Sequence, residues 1–232
     1  MTDFVRFPHT PHLAWLGRSK PRMDKVLTDV EAKAFLSADV VVEEKIDGAN
    51  LGFSVDDHGS LRAQGRGGYL DLDGMIGQWK PLARWLSTRR HALTDALAPN
   101  LVLFGEWCYA VHSVRYSQLP DWFLAFDVYD RATNEFWSVA RRDELADALH
   151  VAVVPELGRG RFDISGLKRL LGSSRLSEGC AEGLYVRREA TGCLISRAKL
   201  VRAEFVQTIE EHWSKRSVEP NQLAVCREPA NG

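Results

Sequence analysis

The sequence predicts an α+β domain of mainly antiparallel sheets with flanking helices, and three observations carry that expectation. Strand-like segments come in hairpins, and helical stretches are scattered among them without the regular alternation of a parallel sheet. The third is size: 232 residues, 45% hydrophobic and 26% charged, suffice for one sizeable core. No internal repeat, low-complexity tract or linker divides the chain, so a single domain over residues 1–232 is expected.

Residues 25–37 read as a short helix leading into Val40-Val41-Val42, a β-branched run that continues to Lys45 as a strand. Leu51, Phe53 and Val55 alternate, Asp56-Asp57-His58-Gly59 turns the chain, and Leu61 to Gln64 returns as the second arm of a hairpin. Gly65-Arg66-Gly67-Gly68 is a flexible loop. From Gln78 to Leu97, Leu82, Leu86, Leu93 and Leu97 fall on one face, which predicts a single amphipathic helix with Pro81 in its first turn. Further strands are expected at 101–106, 122–129, 151–154, 182–188 and 193–201, and helices near 139–149, 165–171 and 203–213. In the last of these Phe205, Ile209 and Trp213 share a face, and residues 217–232 read as a weakly structured tail.

A formal net charge of −1 does not mark a strongly basic nucleic-acid-binding domain, although Arg18, Lys20, Arg22 and Lys25 cluster early and Arg187, Arg188, Arg197, Lys199 and Arg202 late. Cys108, Cys180, Cys193 and Cys226 are too widely spaced for a zinc site or a disulfide framework, and the seven histidines show no metal-ligand spacing. Any metal is therefore expected to be a hard ion held by oxygen. With no long apolar run and no signal-peptide pattern at the N-terminus, no membrane span is predicted and a cytoplasmic location is expected.

The segment richest in chemistry is Glu44-Lys45-Ile46-Asp47-Gly48-Ala49-Asn50, with a lysine at the end of a strand and two residues before Asp-Gly. A lysine amine can attack the α-phosphate of a nucleoside triphosphate and hold the nucleotide as a phosphoramide. Because a free amine has a pKa near 10.4, keeping it neutral at pH 7 costs about 4 to 5 kcal/mol. Partial burial and a nearby bound cation would reduce that cost. Asp47-Gly48 would bring backbone close to phosphate. Taken alone, the segment also reads as a surface lysine beside an Asp-Gly turn.

Five later segments follow in order: Arg66, Phe104-Gly105-Glu106, Trp122-Phe123-Leu124-Ala125-Phe126-Asp127, Glu182-Gly183-Leu184-Tyr185-Val186 and Arg197-Ala198-Lys199. The set resembles the covalent nucleotidyltransferase superfamily of polynucleotide ligases and capping enzymes over roughly residues 40–202, and Asn50 resembles the nick-sealing RNA ligases, since the other branches usually carry arginine there. The resemblance implies a nucleotidyltransferase (ligase adenylation) domain, a lysyl-AMP intermediate on Lys45, ATP with Mg²⁺ or Mn²⁺, and a nicked or broken RNA, or RNA/DNA hybrid, as substrate. It implies that Glu182 and Lys199 join Lys45 in catalysis. Glu44, Asn50, Arg66, Glu106, Phe126 and Arg197 would bind nucleotide, with Glu106 at the ribose and Phe126 stacked on the adenine. Glu182 and Asp127 would meet the metal.

Two positions stay open in the sequence: Phe123 competes with Phe126 for the base, and Arg197, Lys199 or Arg202 sets the register of the closing basic segment. Relatives carry an accessory domain after that segment, whereas about thirty residues follow Arg202 here. A partner protein in its place is one expectation. A DNA ligase, a capping-type guanylyltransferase and a non-catalytic nucleotide- or nucleic-acid-binding module are the alternatives on the same scaffold.

Overall fold

A computed structural model describes residues 4–18, 26–207 and 218–224. The first helix, α1 (Asp29–Phe35), is shorter than its sequence signal because Thr28 and Glu31 form a reciprocal capping box that fixes where it starts. It delivers the chain into β1 (Val40–Lys45), flanked antiparallel by β8 (Glu156–Gly160) and β9 (Gly183–Ala190), with β10 (Cys193–Val201) beyond β9. The N-terminal segment covers the far side of β10, where Leu13 donates its N–H to the Lys199 carbonyl and Lys199 donates to Pro11. That edge is therefore not left open.

The second sheet runs β3 (Leu61–Gln64), β2 (Ala49–Val55), β4 (Leu101–Trp107), β5 (Phe123–Asp130) and β6 (Glu135–Phe136), with β7 (Ala152–Val153) parallel to β5. Its outer face carries Leu51, Phe53, Leu103, Trp107, Phe123 and Ala125. These pack against Leu82, Trp85 and Leu86 of α2 (Leu82–Ser87) and Leu93 and Leu97 of α3 (Arg90–Leu97).

The leucine stripe is buried as its spacing predicts, but the expected single helix is two. Its break lies at Thr88 and Arg89, where the Arg89 guanidinium lies over the Trp85 ring at 4.6 Å and bonds Asp121 at 3.0 Å. Tertiary contacts, including the Trp85 indole N–H on the same Asp121, outweigh continuity of the helix.

On the first sheet the period-2 alternation of strands divides two worlds. Val40, Val42, Leu184, Val186, Ala198 and Leu200 face α1 and Leu167 of α5 (Ile164–Leu170) in one apolar cluster. The opposite face follows from register: Glu43 stands beside Tyr185 and Lys199, and Val41 beside Arg187 and Arg197. Those polar side chains meet the inner face of the second sheet, since Tyr185, Arg187 and Arg197 all bond Asp127. The molecule is thus helices, sheet, polar seam, sheet, helices. α4 (Val139–Ala148), capped by Ser138, sends Arg142 into the seam to bond Glu43 at 2.6 Å.

Two strands were not evident from the sequence. β6 has two residues, and Glu-Leu-Gly-Arg-Gly of β8 has weak strand character; pairing with Val40–Glu43 recruits it. Near the C-terminus, α6 (Ala203–Gln207) begins the expected last helix, while Ile209 and Trp213 lie outside the described residues. The expected loose tail is corrected over 218–224. There Val111 donates to Glu219, Asn221 to Tyr109, Gln222 to Tyr116 and Ala224 to Leu119, all through backbone. Buried Asn221 supplies three more bonds.

Candidate active site

Lys45 is the last residue of β1, with Gly183 of β9 directly beside it and Val201 beside Gly183. Its amine bonds Glu182 Oε2 at 2.6 Å, and 28% of the lysine side chain remains exposed against 12% of the glutamate. Burial alone would lower the lysine pKa, but Glu182, then Glu106 and Asp47, outweigh it and hold the amine above its ordinary value. The chain's own residues therefore keep Lys45 charged. Burial does not supply a neutral amine here.

After Lys45 the chain turns sharply into β2. Asp47 accepts from the Ser113 and Val114 N–H groups at 2.6 and 2.9 Å and donates its own N–H to the Tyr116 hydroxyl at 2.8 Å. Gly48 donates to Glu106 Oε1 at 3.1 Å. A Cβ on Gly48 would lie 2.6 Å from the Trp107 carbonyl oxygen, so only glycine lets the turn close on β4. Burial raises the Glu106 carboxyl to about 7, with Lys45 opposing and Glu182 and Asp47 adding to the rise. Glu182 is likewise raised by burial against the pull of Lys45.

Asn50 of β2 is the direct partner of Glu106 in β4, which puts both on one face. Its Oδ1 is buried without a hydrogen-bond partner. Such an orphaned acceptor beside a carboxylate suits hydroxyl donors of a ligand. Arg66 is exposed on the turn closed by Gly65 and Gly68.

Phe123 and Phe126, three residues apart on β5, lie on opposite faces by strand alternation, and a β-bulge follows Ala125. Phe104 pairs with Asp127 but Gly105 pairs with Ala125, so Phe126 is the extra residue of β5. Phe123 is fully buried against Phe53 and Trp85 in the outer core. Phe126 packs against the inner cluster, with the Tyr185 ring 6.3 Å away at 56° and Phe7 edge-on at 5.1 Å. Its carbonyl receives Arg142 and Arg187, both at 3.0 Å, and these bonds fix the bulge.

Four expected site residues are committed elsewhere. Glu44 faces away from Lys45 and accepts from the Ser174 hydroxyl at 2.5 Å and the Arg175 N–H at 2.7 Å, anchoring the loop before Glu182. Asp127 is fully buried and accepts from Arg187, Tyr185 and Arg197, so it ties the two sheets together within the seam instead of standing at the Lys45 end. Arg197 bonds Asp127 at 3.0 Å while its guanidinium lies 3.8 Å over the Phe136 ring and 5.0 Å over Phe7. Arg202 donates to the Leu171 and Gly172 carbonyls at the end of α5.

Lys199, the third of the closing cations, shares a register level with Tyr185 and Glu43. It stands two residues, roughly 7 Å along the strand, from the level of Lys45, and Arg197 four residues, roughly 13 Å. Lys199 also lies close enough to Glu182 to favour its ionised form.

The sequence reading missed Tyr116, Tyr185, Arg142, Arg187 and Asn221. Tyr185 and Arg187 carried a signal: they alternate with Leu184 and Val186, which marks a polar face opposite an apolar one. Among the described residues, no cluster of three or more His, Cys, Asp or Glu could hold a metal ion, and no disulfide forms. No described helix is long and apolar enough to cross a membrane. Glu182, 2.6 Å from the Lys45 amine, offers carboxylate oxygens, the donor type that a hard cation takes.

Two mainly antiparallel sheets meeting at a polar seam, with a lysine at a central strand end, match the fold of a ligase-type nucleotidyltransferase domain. The RNA ligase family profile matches residues 38–201, and the chain belongs to that family. A point variant of a Naegleria gruberi RNA ligase, in its apo form, superposes with a TM-score of 0.61 at 17% identity, covering 90% of this chain and 59% of that one. A variant of the Naegleria enzyme with ATP and Mn gives 0.61 at 19% identity, over 90% and 59%. An archaeal ATP-dependent RNA ligase gives 0.59 at 19% identity, over 86% and 49%. The chain thus spans between half and three fifths of these three relatives. No curated protein sequence matches it.

Proposed function

We propose that this chain is the nucleotidyltransferase unit of an ATP-dependent RNA ligase, forming lysyl-AMP on Lys45 and joining 5′-phosphate to 3′-hydroxyl ends. The observation that carries this reading is the partly exposed Lys45 amine paired with Glu182 at the strand end, on the face that also holds Lys199. Membership of the family and the ATP and Mn complex of a structural relative support the choice of substrate.

The first step requires the Lys45 ammonium to lose a proton to solvent. Its nitrogen then attacks the α-phosphorus of ATP: the N–P bond forms, the bond to the bridging oxygen of the β-phosphate breaks, and pyrophosphate leaves. Lys199 would stabilise the charge that develops on the α-phosphate oxygens. Glu106 and the orphaned Asn50 oxygen would receive the ribose hydroxyls, and Phe126 would pack on the adenine. Glu182 would hold Mg²⁺ or Mn²⁺, which when bound would supply charge neutralisation during phosphoryl transfer. AMP then passes to an RNA 5′-phosphate, and a 3′-hydroxyl displaces it.

The test is incubation with α-labelled ATP and Mg²⁺ or Mn²⁺, mapping of the adduct, and sealing of nicked RNA, DNA and hybrid duplexes. An acid-labile AMP adduct on Lys45, absent from Lys45→Arg because arginine stays protonated, and sealing of RNA are expected. Labelling by GTP instead, labelling of Lys45→Arg, or no adduct at all would each reject the reading.

A further inference from the structure

The segment between β4 and β5, residues 108–119, contains no helix and no strand beyond isolated bridges, yet it holds the turn that follows the nucleophile. Ser113 and Val114 donate to Asp47 Oδ2, and the Tyr116 hydroxyl receives the Asp47 N–H. A stretch without its own ladder must find partners elsewhere for its buried backbone groups. Cys108 donates to the Trp122 carbonyl and Ser117 and Gln118 to that of Leu176, and further partners come from residues 219–224, more than a hundred positions away.

Asn221 is the centre of that contact. It is 3% exposed, and its side-chain amide uses both ends at once. Oδ1 accepts from the Tyr116 N–H at 2.7 Å, while Nδ2 donates to the Cys108 and Ala110 carbonyls at 2.8 and 3.1 Å. Its backbone N–H reaches Tyr109, and the next residue, Gln222, donates to the Tyr116 carbonyl. Both backbone groups of Tyr116 are therefore held by this segment, as is the loop on either side of it. Arg115 and Glu219 add a surface ion pair.

We infer that Asn221 is a positioning residue for the nucleophile: through Tyr116 and the Ser113-Val114 amides it fixes the Asp47-Gly48 turn, and with it the placement of Lys45 against the α-phosphate. The inference rests on the proposed adenylyltransferase reading. Its consequence is that chain lying after the nucleotidyltransferase strands completes the active-site loop from behind, without touching nucleotide. No periodic or compositional signal announces such a role, since one asparagine and a few backbone groups carry it.

Two measurements on the full chain test it, one of them independent of activity. By hydrogen exchange, Asn221→Ala should speed exchange of the Asp47, Ser113, Val114 and Tyr116 amides at least tenfold and leave β1 and β9 amides at their wild-type rates. Wild-type protection at those four amides overturns the inference, whatever the chain does with ATP. In single-turnover adenylylation at saturating ATP, Asn221→Ala and Tyr116→Phe should each slow the step about tenfold or more. The double variant should be slowed by much less than the product, because both break the same support.

Independent, multiplying effects, or a loss that only tracks the folded fraction, would make Asn221 a structural residue and nothing more. If Asn221→Ala does not fold, Asn221→Asp carries the same tests, since it can still accept from Tyr116 but cannot donate to Cys108 and Ala110. Absence of any adduct in the wild type rejects the functional reading, while the exchange data still decide the positioning.

Discussion

Glu106 offers the most quantitative test of the site. Burial raises its carboxyl from an ordinary value of 4.5 to about 7, with the attraction of Lys45 already included. In the unfolded chain the proton leaves near 4.5, whereas the folded protein holds it to about 7, so between those values the folded state binds more protons and stability falls as pH rises. A difference of about 2.5 units at 1.36 kcal/mol each corresponds to a cost of about 3 kcal/mol above neutrality. Glu106→Gln keeps an oxygen to accept the Gly48 N–H and cannot ionise.

Urea midpoints of the two proteins should therefore coincide near pH 4.5 and diverge as pH rises, with the variant ahead by about 3 kcal/mol at pH 8. A gap that stays constant with pH, or a variant that is the weaker protein at pH 8, refutes the reasoning. The same titration should appear in ATP binding. If the ionised carboxylate receives ribose hydroxyls, the wild-type KM for ATP falls as pH rises through 7, and that of the variant does not.

The closing register predicts a contrast. Lys199→Ala should slow adenylylation roughly a hundredfold at nearly unchanged stability, while Arg202→Ala, which strips the end of α5, should cost about 1 to 3 kcal/mol in urea with activity following the folded fraction; exchanged phenotypes would move the register. Gly48→Ala should destabilise by about 1 to 3 kcal/mol, because its Cβ would meet the Trp107 carbonyl oxygen at 2.6 Å, and an unchanged urea midpoint would mean that the strand pair yields. Glu182→Gln should lower the Lys45 pKa, since the largest influence opposing burial is removed. Labelling of Lys45 by an amine-reactive reagent at pH 9 should then rise even as adenylylation falls, and an unchanged Lys45 titration would detach the carboxylate from control of the amine.

Much of the fold was legible where residues report on their own strand. Val40 to Lys45, the hairpin through Asp56-Gly59 and the leucines of α2 and α3 declare themselves by period, and Lys45, Glu106 and Glu182 occupy the ends and edges of such segments. What could not be read depends on partners far away in the chain. Glu44 looks like a companion of Lys45 until Ser174 and Arg175 claim it, and Asp127 looks like a metal ligand until three side chains from β9 and β10 close on it. Phe123 and Phe126 sit on opposite faces of β5, but the apolar run does not say which face is the seam, and the bulge that turns Asp127 inward, held by Arg142 and Arg187 at the Phe126 carbonyl, has no signal of its own. Residues 218–224 looked like a tail for the same reason: their bonds are backbone bonds to a loop that has no period of its own.

The seam also explains why the charged Lys45 is compatible with the proposed chemistry. Deep between the sheets, Glu43 and Asp127 face Arg142 and Arg187, all nearly or fully buried, and each arginine makes further bonds to carbonyls or acids. Removing one member would strand a buried charge at a cost of about 3 to 5 kcal/mol, so that end of the seam is fixed. At the Lys45 end the direct contact is a single ion pair with Glu182, with Glu106, Asp47 and Lys199 near enough to act on it and part of the lysine open to solvent. The bond to Glu182 spares an unliganded carboxylate the cost of lying unpaired, and it is the bond a cation and a triphosphate can exchange without disturbing the arginine network. Rigidity at one end and a replaceable ion pair at the other are what the proposed chemistry needs, because the amine would have to be held in place before the nucleotide arrives and released from its counterion once the nucleotide is there.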